Sequence, residues 1–159
     1  MSEDMMKKAK EVYGILCAMM DSNEWRYEKD EENLAIYTSF SGDDLSMQFK
    51  VSIDAKRQLV YLISALPFKM CEDKRVEGAI ATCEINYELA DGSFDYSIQD
   101  GTIGFRMTSS YRESLVGVDL MKYMIDCACF TVDKYNDKLE AINNGQLSLK
   151  AFFEWMNEN

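Results

Sequence analysis

Histidine is absent from the 159 residues, proline occurs once, at Pro67, and lysine and arginine number 17 against 28 acids. Each shortage closes a class of function. Without an imidazole there is no serine–histidine or cysteine–histidine nucleophile, and a zinc site would need four thiolates from Cys17, Cys71, Cys83, Cys127 and Cys129. Those five are odd in number and form no C-x-x-C pair; Cys127 and Cys129, two apart on a helix, point to different sides. They are expected to stay reduced and act as small hydrophobes, with no bound metal and no disulfide. The formal net charge of −11 is broken by no basic cluster, so neither nucleic acid nor an anionic membrane surface is an expected partner. No apolar stretch approaches the roughly 20 residues that cross a bilayer. Met1 to Lys8 lack the basic-then-apolar layout of a secretory signal, so the expected location is the cytoplasm. Gly101 and Gly104 flank a strand and do not open a helix, which excludes a phosphate loop.

What is present is strong periodicity. Residues 3–20 carry Met5, Ala9, Val12, Leu16, Met19 and Met20 on one helical stripe, with Ser2 as cap. A short strand over 25–28 precedes the solvated charged turn 28–32. Leu34, Ile36, Thr38 and Phe40 then alternate with polar or smaller residues, as do Leu45, Met47, Phe49, Val51 and Ile53. A four-residue loop at 41–44 would set Phe40 opposite Leu45, Ile36 opposite Phe49 and Leu34 opposite Val51. A further strand, 59–66, would add Leu59, Tyr61, Ile63 and Ala65 to that apolar face and end at Pro67. Its reverse face carries Val60, Leu62 and Leu66, and a strand apolar on both sides needs a cover. A helix over 73–90 follows, with Val76, Ala79, Ile80, Cys83, Tyr87 and Ala90 as its buried stripe and Gly92 as its terminator.

Asp100-Gly101 between two alternating runs predicts a two-residue hairpin turn that pairs Ile98 with Ile103, Tyr96 with Phe105 and Phe94 with Met107, with Asp95 opposite Arg106. A helix over 114–143 bears Leu120, Met121, Met124, Ile125, Ala128, Val132, Tyr135, Leu139 and Ile142 at helical spacing. Ser148 caps a last short helix, 149–156. The order α-ββββ-α-ββ-α-α predicts an α+β fold, an antiparallel sheet packed with helices, as one domain over residues 1–159 with a core of about 5–143 and an extension at 146–157.

No residue qualifies as catalytic, cofactor-binding or metal-ligating. The adjacent acids Asp43/Asp44, Glu31/Glu32 and Asp91/Asp95 fall in loops or beside turns, where nothing shifts a carboxylate toward acid–base work. The eleven methionines chiefly fill core. Two apolar groups lack a cover: Val60, Leu62 and Leu66 on the reverse strand face, and Phe152, Phe153, Trp155 and Met156 in the tail. They either cover one another or form a surface for a protein partner or a second copy of the chain.

Leu66-Pro67, Arg75, Asn86, Gly92-x-Phe94 and Asp100-Gly101-x-Ile103-x-Phe105-Arg106, with Tyr135 near the end of the long helix, resemble the bacterial YbjN family over about residues 5–143. That resemblance implies a fold similar to the type III secretion chaperones and a small acidic binding protein of a family labelled as sensory-transduction regulators. It supplies no catalytic residue. The expected function is a non-enzymatic protein-binding module, chaperone-like or regulatory, working as a dimer. The alternative is a small-ligand-binding domain or carboxylate-based enzyme with a cleft in the sheet.

Overall fold

A computed structural model describes residues 2–114 and 116–158. Helix α1 (Glu3–Ser22) starts where the Ser2 hydroxyl accepts the Met5 amide at 3.3 Å, with Glu3 and Asp4 favourably placed at its positive end. Four strands follow, β1 (Tyr27–Asp30), β2 (Ala35–Ser41), β3 (Ser46–Asp54) and β4 (Leu59–Lys69). After a single 3-10 turn at Glu72–Lys74 come α2 (Arg75–Glu88), β5 (Ser93–Tyr96), β6 (Thr102–Ser110), α3 (Val118–Asn143) and α4 (Leu149–Glu158). The strands form one antiparallel six-stranded sheet, ordered β1-β2-β3-β4-β6-β5. The fold class and the order of elements are those expected. Helices α1 and α3 pack on the sheet face that carries Ile36, Phe49, Val51, Leu62 and Phe105, and α2 lies against β5 at one edge.

Several expectations need correction. The β2–β3 loop is Gly42–Leu45, one residue later than expected, so Ile36 opposes Val51 and Phe40 opposes Met47. The shift is even, so the apolar face survives it. In the hairpin, Tyr96 opposes Ile103 and Phe94 opposes Phe105, and Ile98 stands in a longer loop, half exposed to solvent. Gly101, at the end of that loop, is tied to the residue that follows β4. Its carbonyl accepts the Met70 amide at 2.9 Å, and a Cβ on Gly101 would meet the Met70 carbonyl oxygen at 2.3 Å. The Asp95–Arg106 pair forms all the same, diagonally, through two hydrogen bonds of 2.7 and 2.9 Å. Strand β4 runs on through Pro67 to Lys69; the missing amide is tolerated because Pro67 lies beyond Ile63, the last residue paired to β3, at an irregularity in the β6 register. Helix α3 begins at Val118, after Gly117, and Leu115 of the expected start lies outside the described residues.

Candidate interaction surface

The residues that carry the family resemblance are ties between α2 and the β5–β6 hairpin. The Asn86 side chain donates to the Phe94 carbonyl at 2.9 Å and accepts the Phe94 amide at 2.7 Å, taking the place of a neighbouring strand. Arg75 Nη1 donates to the Gln99 carbonyl at 2.8 Å, and the Tyr96 hydroxyl donates to the Arg75 carbonyl at 2.7 Å. Asp100 accepts from Thr102 and Lys69, and hydrogen bonds from Ser97, Thr102 and Lys69 hold its carboxyl well below the usual range. Gly92, at φ +74°, lies so close to Phe105 that a Cβ there would sit 2.3 Å from its ring. These contacts tie α2, the hairpin and the end of β4 together.

The expected surface is not where it was placed. Val60, Leu62 and Leu66 face the core: Ile53 opposes Val60, Val51 opposes Leu62, and Val60 and Leu62 are fully buried. The reverse face of β4 is instead the Tyr61–Ile63–Ala65 side. Apolar residues on both sides of this strand left alternation with nothing to choose between, and the turn at Ala55–Gln58, with Gln58 at φ +56°, made the choice. The tail's ring contacts run to α3. Phe152 is fully buried and stacks on Trp155 at 6.0 Å; Trp155 meets Tyr135 of α3 edge-on at 5.9 Å, and Tyr135 meets Phe94 at 6.2 Å. Phe153, Trp155 and Met156 are half-buried against the core.

An exposed apolar row lies on α2. Its inner face carries Gly78, Ala81, Thr82 and Ile85, with glycine at the tightest point, where a Cβ on Gly78 would stand 2.8 Å from Met70. The stripe read as buried therefore faces outward. Val76 is 65%, Ile80 44% and Tyr87 82% exposed, with Cys83 exposed between them. Spacings of four, three and four residues put them in a row. Sequence patterning marked the stripe correctly but carries no sign that tells an inward row from an outward one. A second, weaker exposure is the helix-free face of the sheet, where Tyr37, Lys50, Ile63 and Arg106 follow one another across four strands. Lys50 Nζ stands 5.4 Å from the Tyr37 ring centre. A third is Phe130 on α3, 72% exposed.

Among the described residues no group of three or more His, Cys, Asp or Glu could hold a metal ion, and no helix is long and apolar enough to cross a membrane. The five cysteines are unpaired.

A family model described as YbjN, "Putative bacterial sensory transduction regulator", matches residues 14–141. No curated protein matches the sequence. Solved structures share the fold. The crystal structure of YbjN from E. coli is 9% identical with a TM-score of 0.58, over 81% of this chain and 89% of that one. A chain of the ExsC–ExsE complex is 12% identical with a TM-score of 0.59, over 82% and 95%. A chain of the HopA1–SchA chaperone–effector complex is 13% identical with a TM-score of 0.52, over 80% and 94%. The fold is similar to theirs, and so type III secretion chaperone-like as expected.

Proposed function

The chain belongs to the YbjN family, and on that premise we propose that it is a non-enzymatic protein-binding module, chaperone-like or regulatory, that works in the cytoplasm as a dimer. The observation that carries this reading is the outward row Val76, Ile80, Cys83 and Tyr87 on α2. Covering such a row is favourable, since full burial of a side chain such as Val or Ile is worth up to about 1.5–3 kcal/mol. A second copy is the occupant that fits: the row is symmetric about its middle, so an antiparallel two-fold pairing sets Val76 against the copy's Tyr87 and Ile80 against the copy's Cys83. Two of the similar structures come from complexes with a protein partner, one of them a chaperone with its effector, which supports protein binding as the task.

The cleft-enzyme reading finds less support. Asp43, Asp44, Glu31 and Glu32 are exposed on loops and turns, while Tyr123 donates to Asp91 and Arg106 to Asp95. The test is light scattering on the purified chain. The wild type is expected at twice the monomer mass and Ile80→Glu at the monomer mass, with an unchanged circular dichroism spectrum because position 80 is outside the core. A monomeric wild type at concentrations well above cellular ones overturns the dimer.

A further inference from the structure

Phe130 sits midway along α3, 72% exposed, on a helix that otherwise turns most of its large apolar residues inward. It forms the ridge between two depressions. One, of about 310 Å³, has Trp25, Phe40 and Met47 in its wall; the other, of about 410 Å³, ends on Trp155. Both include Phe130 and Asp133, so the two adjoin along α3 and form a groove interrupted by the Phe130 ring. From Asp126 to Asp137 it spans roughly 16 Å at about 1.5 Å per residue, room for three turns of a helix laid beside it. Its ends are aromatic: Trp25 stands edge-on to Phe40 at 5.2 Å, and Trp155 edge-on to Tyr135 at 5.9 Å.

Acids outnumber bases in the walls. Asp126 and Asp133 line the first half, and Asp43, Asp44, Asp133 and Asp137 the second, together with Lys134 and Lys138. The lysines nearby are turned onto rings and acids of the chain itself: Lys122 over Trp25 and paired with Asp126, Lys134 over Tyr135 and Trp155, and Lys138 over Trp155 and paired with Asp137. Asp43 and Asp44 are exposed on the β2–β3 loop. That rim is held in place, since Asp133 Oδ1 accepts the Asp43 amide at 2.9 Å and Gly42 packs directly on the same carboxylate. The negative potential is felt inside the groove, where the Cys129 thiol is pushed up to about 12, first by burial and then by Asp126 and Asp133.

We infer that this groove receives a basic amphipathic segment of another protein, with its apolar residues against Phe130 and its lysines or arginines against Asp43, Asp44, Asp126 and Asp133. An exposed aromatic flanked by two hollows and ringed by acids matches such a helix in shape and sign. The surface lies on α3, apart from the α2 row, and does not depend on dimerisation.

The chain has two tryptophans, Trp25 and Trp155, both in the groove, so intrinsic fluorescence reports occupancy without a label. The probe is a synthetic Trp-free amphipathic Lys/Leu helix. It is titrated beside one peptide with Glu replacing Lys and another with Ser replacing Leu. The Lys/Leu peptide is expected to shift the emission saturably and to weaken with salt, and the two controls are not. Phe130→Asp decides between anchoring and general charge attraction, because it adds an acid while removing the ring. Binding about tenfold or more weaker supports the groove, whereas binding equal to or tighter than wild type overturns it. Asp43→Asn with Asp44→Asn is expected to weaken binding several-fold with Phe130 intact; no change also counts against the proposal. Ile80→Glu is expected to bind as wild type. Loss of binding in that variant would tie the peptide to the α2 surface and overturn the α3 assignment, whatever the oligomeric state proves to be.

Discussion

Asn86 shows how a single side chain can stand in for a strand. β5 is short and pairs on one side only, with β6, and the Asn86 amide completes the hydrogen bonding of Phe94 on the other side at 2.7 and 2.9 Å. Asn86→Ala leaves an amide and a carbonyl of the buried Phe94 without that partner, a cost of about 2–3 kcal/mol by the penalty for orphaned buried groups. Urea denaturation measures it. Asn86→Asp keeps the acceptor for the Phe94 amide and loses the donor, so its loss is expected to fall between. A loss within error for Asn86→Ala would show that pairing with β6 alone holds the strand. Gly92 and Gly101 serve the same junction by being small where Phe105 and Met70 approach.

At the scale of elements, α4 is a working part of the core. Phe105, Phe94, Tyr135, Trp155 and Phe152 form a chain of ring contacts from the hairpin through α3 to the tail, each between 5.3 and 6.2 Å. The helix starts where the Ser148 side chain accepts the Ala151 amide at 3.2 Å. Removing the fully buried ring in Phe152→Ala is expected to cost about 3–5 kcal/mol, the usual range for a large core side chain replaced by alanine. The denaturation midpoint should drop and the Trp155 emission shift to the red. The oligomeric mass should stay that of wild type, because the tail does not bear the α2 row. A change of mass without a change of stability would return the tail to the role of an association surface. α2 makes the opposite use of its sides: Gly78, Ala81 and Thr82 allow close approach to β5, and Val76, Ile80 and Tyr87 are turned outward.

The whole molecule is shaped by its excess of 11 negative charges. At pH 7 that excess repels itself, and salt screens repulsion between exposed charges. The melting temperature is therefore expected to rise as sodium chloride is added at pH 7. Acid acts through a few specific groups as well. Asp30 and Asp100 are held below the ordinary carboxylate range, Asp30 first by the side chain and amide of Asn33, Asp100 first by Ser97 and Thr102. A carboxyl lowered in the folded state favours folding above its unfolded pKa of about 3.9. That contribution is lost as pH falls through the lowered folded values. Stability should fall below about pH 4, and the fall should be shallower in Asp100→Asn. A thermal melt series in salt and in pH checks both signs. A midpoint that falls with salt would show that local ion pairs outweigh the net repulsion.

The sequence by itself determined the order of elements, the antiparallel α+β class, the family, and the buried stripes of α1 and α3. In those elements one face is apolar and the other polar, and periodicity then has a single solution. It also determined that Phe94, Tyr96, Ile103, Phe105 and Met107 share one face, because register errors by an even step conserve the face of every side chain. Only the tertiary structure decided which side of β4 and of α2 looks inward. Both carry apolar residues on two faces, so local patterning has two solutions of similar worth. For β4 the choice fell to the Ala55–Gln58 turn, and for α2 to the close approach of Met70, where Gly78 leaves the room its side chain occupies. The candidate surfaces lie where that choice was made or where a loop and a helix meet: the α2 row appears only once its other side is packed. The groove at Phe130 joins residues about 90 positions apart in the chain, Asp43 to Asp133. Periodicity describes single elements, and a surface built from two of them exists only after they have packed.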